Sequence, residues 1–181
     1  MDYSFSTKRL NLELVHSGDL TAIHELHSLP ETDEFNTLGI PEGIEQTEKI
    51  LQNWIVSSKK ETNPEFTFTI RDRLTDSFIG LIALKCGNPK FRIGEVWYKI
   101  HVKHWRKGIA TEALKKILEF GFNALNLHRI EAGCAVENTG SIRLLEKVGM
   151  KKEGRKRKVL PLKNGWSDNF EFAILEEDWN K

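Results

Sequence analysis

The spacing of apolar residues changes character several times along the chain. Leu10, Leu12 and Leu14 alternate with Arg9, Asn11 and Glu13, a period of two that predicts a half-buried first strand. Residues 18–28 repeat at helical spacing through Leu20, Ile23 and Leu26, with Ser17 as the expected N-cap. Pro30 opens a stretch expected to be irregular as far as Gly43. A second helix is predicted over 44–58, its faces set by Ile44, Glu48, Leu51, Trp54 and Ile55. Period two then returns: Phe66, Phe68 and Ile70 alternate, Arg73 to Asp76 reads as a turn, and Phe78 to Cys86 is strongly apolar. Gly87-Asn88-Pro89 breaks the chain before a strand expected over Glu95 to Val102. Ile109, Ala113, Leu114, Ile117 and Leu118 share one helical face. Ile130 to Val136 reads as a strand, Ser141 to Val148 as a short helix, and Val159–Leu162 and Phe170–Leu175 as late strands.

The expected order is β-α-α-β-β-β-α-β-α-β-β. Consecutive strands joined by turns pair antiparallel, whereas the strand-helix-strand unit from Glu95 to Val136 implies one parallel pair. The fold class is therefore α/β, with α and β elements mixed and helices on both faces of one sheet. With no repeats, low-complexity tracts or linkers, residues 1–181 are read as a single domain.

Composition narrows the function classes. Apolar residues make up 39% of the 181 and charged residues 29%, as in ordinary water-facing domains. The longest apolar run, Phe78 to Leu84, is too short to cross a bilayer, and the first residues do not read as a secretory signal. Cys86 and Cys134 have neither CxxC spacing nor companion histidines, so neither a disulfide framework nor a metal site is expected and a reducing cytoplasm is. A net charge of +1 gives no general pull toward nucleic acid or membrane. The run from Lys151 to Lys158 is locally basic. It could face an acidic partner, ribosomal RNA or cofactor phosphates, but an edge strand protected by positive charge is the preferred reading.

The candidate chemistry sits at Trp105-Arg106-Lys107-Gly108-Ile109-Ala110-Thr111, between a strand and a helix. Such a junction presents unpaired N–H groups at the positive end of a helix dipole and suits phosphate. Gly108 lets backbone approach a pyrophosphate, Ala110 keeps the first turn small, and Arg106 and Lys107 add charge. A purely structural turn is the alternative for this motif alone.

The longer stretch from Glu95 to Ala113 resembles the acyl-CoA-binding core of the GNAT N-acetyltransferase superfamily. Trp105 followed by the Gly-Ile-Ala-Thr-Glu-Ala run from Gly108 is similar to the RimJ/RimL-type branch. Asn138 to Met150 resembles the family's Asn-x-x-Ser…Leu-x-Glu-Lys-x-Gly helix, and Thr7 to Leu12 and Gly165 to Trp179 resemble that branch's ends. The resemblance implies a GNAT-like fold: a mostly antiparallel sheet of six to seven strands, about four helices on both faces, and splayed parallel strands fourth and fifth in order. Acetyl-CoA would then lie between the strands ending near Val102 and Val136. Its pantetheine would bond backbone near Ile100 and Val102, and its pyrophosphate would rest on Arg106, Lys107, Gly108, Ile109, Ala110 and Thr111. Asn138 would bond the pantetheine arm and Ser141 would lie near the thioester sulfur; helix N-capping is the alternative role for both.

By the same resemblance the reaction is direct attack of a primary amine on the thioester, helped by proximity and by a backbone N–H near Ile100 at the oxyanion. The chain departs from the family at the proton-transfer positions. Leu145 stands where many members have an acidic Tyr, and Gly133 where some have a basic Glu. Ser141 is the best remaining proton donor. Glu95 heads the candidate bases, followed by Glu171, Asp33 and Glu34. His101, His104, Trp97, Tyr98 and Trp105 are read as packing or surface residues, and Trp54 with the 29–43 loop as the acceptor wall.

A weak base suits a weakly basic acceptor. Deprotonating a lysine side chain at pH 7.5 costs about 4 kcal/mol, an α-amine almost nothing. The expected acceptor is therefore a peptide or protein N-terminus, with no nucleic-acid or membrane partner and a homodimer by family habit. The alternatives are a small-molecule acetyltransferase for an amino acid, polyamine or antibiotic, and a non-catalytic acyl-CoA sensor.

Overall fold

The computed structural model describes residues 3–179. Its strands are β1 (Ser4–Ser6), β2 (Leu10–Leu14), β3 (Glu65–Asp72), β4 (Phe78–Cys86), β5 (Ile93–Ile100), β6 (Arg129–Ala135), β7 (Lys151–Leu162) and β8 (Gly165–Leu175). The helices are α1 (Leu20–His27), α2 (Pro30–Asp33), α3 (Ile44–Ser57), α4 (Ile109–Glu119), α5 (Thr139–Lys147) and α6 (Glu176–Trp179). All eight strands join one sheet in the order β1-β2-β3-β4-β5-β6-β8-β7, antiparallel except at β5–β6. The mixed class, the two-sided helices and the single parallel pair are as expected.

The sheet has one strand more than the six to seven expected, and one strand is longer than expected. β1 is only three residues long, too short to show a period. β7 begins at Lys151, not Val159, because its first nine residues are exposed and carry no apolar alternation to read. That strand is the sheet edge, so its basic residues are solvated, and three of them meet acids: Lys151 with Asp178, Arg155 with Asp168, and Lys156 with Glu171.

The helices also differ at their ends. Ser17 does not cap α1; it opens a 3-10 turn (Ser17–Asp19) whose N-cap is His16, with the Asp19 side chain accepting from the His16 N–H. Asp19 is fully buried and also accepts from Arg71 Nη2 at 2.7 Å, which pins this turn to β3. The stretch after Pro30 starts with α2, since proline at the first helical position has no N–H to leave unpaired.

Two cores lie on opposite faces of the sheet. Val96 and Ile100 of β5 and Ile130, Ala132 and Cys134 of β6 pack beneath Ala113, Leu114, Ile117 and Leu118 of α4. On the other face Leu81 of β4 meets Ile23 and Leu26 of α1 and Leu51 and Trp54 of α3. The alternation of β5 thus sends Tyr98 to the α4 side, and Trp97 and Lys99 to the α1 side.

His27, the last residue of α1, is 1% exposed. Burial first, then the charges of Lys99 and His24, push its pKa from 6.5 down to about 4. The folded protein therefore keeps His27 neutral where the unfolded chain takes up a proton. The associated stability is present above pH 6.5 and is lost as pH falls toward 4. Urea unfolding at pH 7 and pH 5 is expected to differ by about 2 kcal/mol from this group. In His27→Leu that difference should shrink; an unchanged pH dependence would assign it to other groups.

Candidate active site

The parallel pair β5–β6 opens like a wedge. Ile93, Gly94 and Glu95 pair with Arg129, Ile130 and Glu131, and pairing then stops although β5 continues to Ile100 and β6 to Ala135. Each strand stays anchored on its outer side, β5 to β4 through Ile100 and β6 to β8 through Ala135. The His101 N–H donates to Ile79 O, so alternation turns the N–H and C=O groups of Val96, Tyr98 and Ile100 toward the wedge. Such backbone groups need a partner, and an extended amide-bearing arm would fit there as one.

Val102 is a correction to the strand end. It lies in a 3-10 turn (Val102–His104), and its carbonyl accepts from the Trp105 N–H. The Trp105 indole Nε1 donates to the Ile100 carbonyl at 2.7 Å, so this side chain braces the mouth of the wedge rather than simply packing. Tyr98 and the Ile100 N–H remain the backbone positions presented to the gap.

At that mouth the chain turns into α4 through two left-handed residues, Arg106 (φ 59°) and Gly108 (φ 74°). Gly108 is the N-cap of α4 and no side chain caps the helix, which leaves the amides of Ile109, Ala110 and Thr111 to bind an anion. Arg106 and Lys107 are exposed beside them. The loop is held from behind: Arg9 Nη1 donates to Lys107 O at 3.0 Å, and Arg9 Nε meets Glu112 Oε2 at 2.7 Å. Burial alone would raise the Glu112 carboxyl, but hydrogen bonds from Thr7 and Arg9 bring it below its usual range. Glu112 therefore neutralises Arg9, whereas Arg106 and Lys107 are the exposed cations beside the free amides. The shape and donors of this junction fit the diphosphate of acetyl-CoA.

Asn138 is the N-cap of α5, its Oδ1 accepting from the Ser141 N–H at 3.0 Å. The capping role is thus realised through the oxygen, which leaves the amide NH₂ for a ligand. Ser141 Oγ lies 2.5 Å from Tyr98 Oη, joining α5 to β5 across the wedge. Burial pushes the Tyr98 phenol well above its ordinary value, against the hydrogen bond from Ser141. Burial also raises the neighbouring Cys134 thiol to about 11. Leu145, where the resemblance looks for a Tyr, is fully buried in the core. The expectation that Tyr98 only packs missed a hydroxyl at the gap; the alternation Val96-Tyr98-Ile100 was the available signal.

The carboxylates expected as bases are scattered. Glu95 is the last paired residue of β5, exposed and in register with Lys85 and Glu131, so its carboxyl stands at the closed end of the wedge. Glu171 accepts from Asn169 Nδ2 at 2.5 Å and pairs with Lys156 at 3.2 Å. Glu34 is exposed, and only Asp33 is buried. At Gly133 a Cβ would fall 2.7 Å from Asn169 Nδ2, so Asn169 occupies the space a longer side chain there would need. His101 accepts from the Lys103 N–H and sets its ring against His104, a turn-forming role. Among the described residues there is no cluster of three metal-ligating side chains, and no helix is long and apolar enough to cross a membrane.

The sequence model of the Acetyltransferase (GNAT) domain family matches residues 9–151. The chain is 36% identical over 177 residues to the N-acetyltransferase YnaD of Bacillus subtilis, covering 97% of this chain and 98% of that one. The crystal structure of spermidine N-acetyltransferase from Vibrio cholerae, in complex with CoA and spermine, superimposes with a TM-score of 0.86 at 26% identity, covering 97% and 100% of the two chains. Ribosomal-protein-S5-alanine acetyltransferase from Vibrio fischeri shares the fold, with a TM-score of 0.84 at 24% identity over 98% and 99%. A wedge between two parallel strands with unpaired backbone groups, a left-handed glycine loop with free helix N-terminal amides, and a matched family over most of the sequence lead to one assignment: this chain belongs to the GNAT family and is an acetyl-CoA-dependent acetyltransferase.

Proposed function

We propose that the acceptor is an α-amine at a peptide or protein N-terminus, the RimJ/RimL type of activity, and that transfer takes place in the cytoplasm. Two free thiols, Cys86 and Cys134, agree with a reducing compartment. The observation that carries the acceptor reading is the fate of the carboxylates: Glu171 is already bonded to Asn169 and Lys156, and Glu95 stands outside the open wedge. With neither Glu171 nor Glu95 available at the gap as a base, the site is suited to an amine that is partly neutral at physiological pH.

Arg106, Lys107 and the amides of Gly108 to Thr111 bind the diphosphate in this reading, with Asn138 on the pantetheine arm. The Ile100 N–H donates to the acetyl carbonyl oxygen, and Ser141, hydrogen-bonded to Tyr98, donates a proton toward the sulfur. Acetyl-CoA supplies the activated acyl group.

The similarity to a spermidine acetyltransferase supports a second reading, a polyamine acceptor. Against it, Arg155 and Lys156 of the β7–β8 hairpin are paired with Asp168 and Glu171, but Lys158 and Lys163 toward its tip are exposed and disfavour a polycation there. Mass spectrometry of a peptide carrying both a free N-terminus and an internal lysine is expected to show acetylation at the α-amine. Modification confined to the lysine ε-amine would overturn the α-amine reading.

A further inference from the structure

On the α1 face of the wedge three buried side chains carry polar atoms without a hydrogen-bond partner among the described residues: Lys99 Nζ, Asp33 Oδ1 and both ring nitrogens of His27. They are 5%, 6% and 1% exposed. Lys99 lies on β5 beyond the last β5–β6 pair, beside the open gap, and opposite Leu81, which packs against α1. His27 ends α1 and Asp33 ends α2, whose helices contact each other. The three also feel one another: Asp33 pulls the Lys99 ammonium up, and Lys99 pushes His27 down. Asp33 in addition lines a cavity of about 390 Å³ that opens to the surface, with Asn36, Thr37, Ile40, Pro161 and Lys163 on its walls.

Buried polar atoms without partners destabilise a fold, and apolar side chains of similar size would not. Three of them, one beside the gap and two on the helices coupled to it, therefore call for a ligand, and their chemistry describes it. Burial, opposed by Asp33, brings the Lys99 pKa to about 8, so at neutral pH it is still mostly a cation. His27 is neutral, with one donor and one acceptor nitrogen. A cation, an anion and a neutral imidazole on one wall complement a head group that holds an ammonium close to a carbonyl or carboxylate oxygen.

We propose that Asp33, Lys99 and His27 form the acceptor head-group site, with the α-ammonium on Asp33 and the adjacent carbonyl or carboxylate oxygen on Lys99 and His27. This assignment rests on the α-amine reading and sharpens it, because it requires a carbonyl or carboxylate group attached to the carbon that bears the amine. A polyamine offers donors only; it would satisfy Asp33 and set a like charge against Lys99. A free amino acid and a peptide N-terminus both meet the requirement.

The test measures acetyl-CoA-dependent thiol release by wild type and Lys99→Met. The acceptors are X-Ala-Ala amides covering the coded side chains, the free amino acids, the matched amines lacking the carbonyl carbon, and spermidine. Wild type is expected to favour the carbonyl-bearing acceptors by at least about tenfold in kcat/KM. Lys99→Met should erase that preference through KM, with the acetyl-CoA Kd unchanged and a Tm no lower than wild type. Preference for the peptides over free amino acids would name a chain terminus as the source; the reverse would name the free compound. A preference for α-amines that survives in Lys99→Met, or a lower Tm in that variant, overturns the head-group site alone. Thiol release confined to spermidine, or absent with every acceptor, overturns the α-amine reading along with it.

Discussion

Gly108→Glu is expected to bind acetyl-CoA about 10³-fold more weakly while the chain still folds. Gly108 has φ 74° at the N-cap of α4, a conformation that costs an L-residue about 1–2 kcal/mol. That is a fraction of the roughly 5–15 kcal/mol by which domains are stable. An added Cβ would meet nothing nearer than Arg9 Nη2 at 3.5 Å, so the neighbourhood tolerates the atom. The carboxylate is another matter. The helix N-terminus attracts it, and it then occupies the amides of Ile109, Ala110 and Thr111 that the diphosphate needs and repels that group. Gly108→Asn separates the two effects, since asparagine tolerates left-handed backbone and adds no charge. It should lose far less affinity. Calorimetric titration with acetyl-CoA, beside circular dichroism, reads both variants; wild-type affinity in Gly108→Glu would place the diphosphate elsewhere.

Tyr98→Phe is expected to lower kcat by about 10²–10³-fold and leave acetyl-CoA binding intact, the usual range for removing a positioned proton donor. Burial keeps the phenol protonated far above physiological pH, and its 2.5 Å contact with Ser141 Oγ makes the two hydroxyls one unit. Ser141→Ala should therefore resemble Tyr98→Phe, and the double variant should be little worse than either, as groups acting together are not additive. The backbone capping by Asn138 does not involve the serine hydroxyl, so α5 should persist in Ser141→Ala. Stopped-flow thiol release measures the loss. Turnover of Tyr98→Phe within threefold of wild type would assign the proton to another donor, and additive losses would separate the two hydroxyls.

The long, strongly periodic elements are legible in the order of residues alone. β3, β4, α3 and α4 lie within a few residues of their expected bounds, because each buries an apolar face whose spacing is written locally. β1 and the first half of β7 are not, the first being too short and the second an exposed edge whose pairing rests on backbone rather than side chains. The strand expected to reach Val102 stops at Ile100, since the Trp105 indole takes the Ile100 carbonyl and folds the chain into a turn.

The site divides in the same way. The glycine loop is a local device: a left-handed residue before a helix favours glycine, and the residues from Arg106 to Thr111 are contiguous. Those facts need only the order of amino acids. Tyr98 and Ser141 are 43 positions apart, and Asp33 and His27 come within electrostatic reach of Lys99 only because α1 packs on α2 and on β4, the sheet neighbour of β5. The exclusion of Glu171 is equally non-local, its carboxyl being taken by Lys156 from the neighbouring strand. Order along the chain thus determined the family, the left-handed glycine loop before α4 and most of the sheet. Which hydroxyls meet at the gap, which carboxylates are already bonded, and which charges are buried without partners were decided by packing distant segments together. Hydrogen bonding and desolvation depend on neighbours in space, and sequence spacing specifies those only within a helix turn or along a strand.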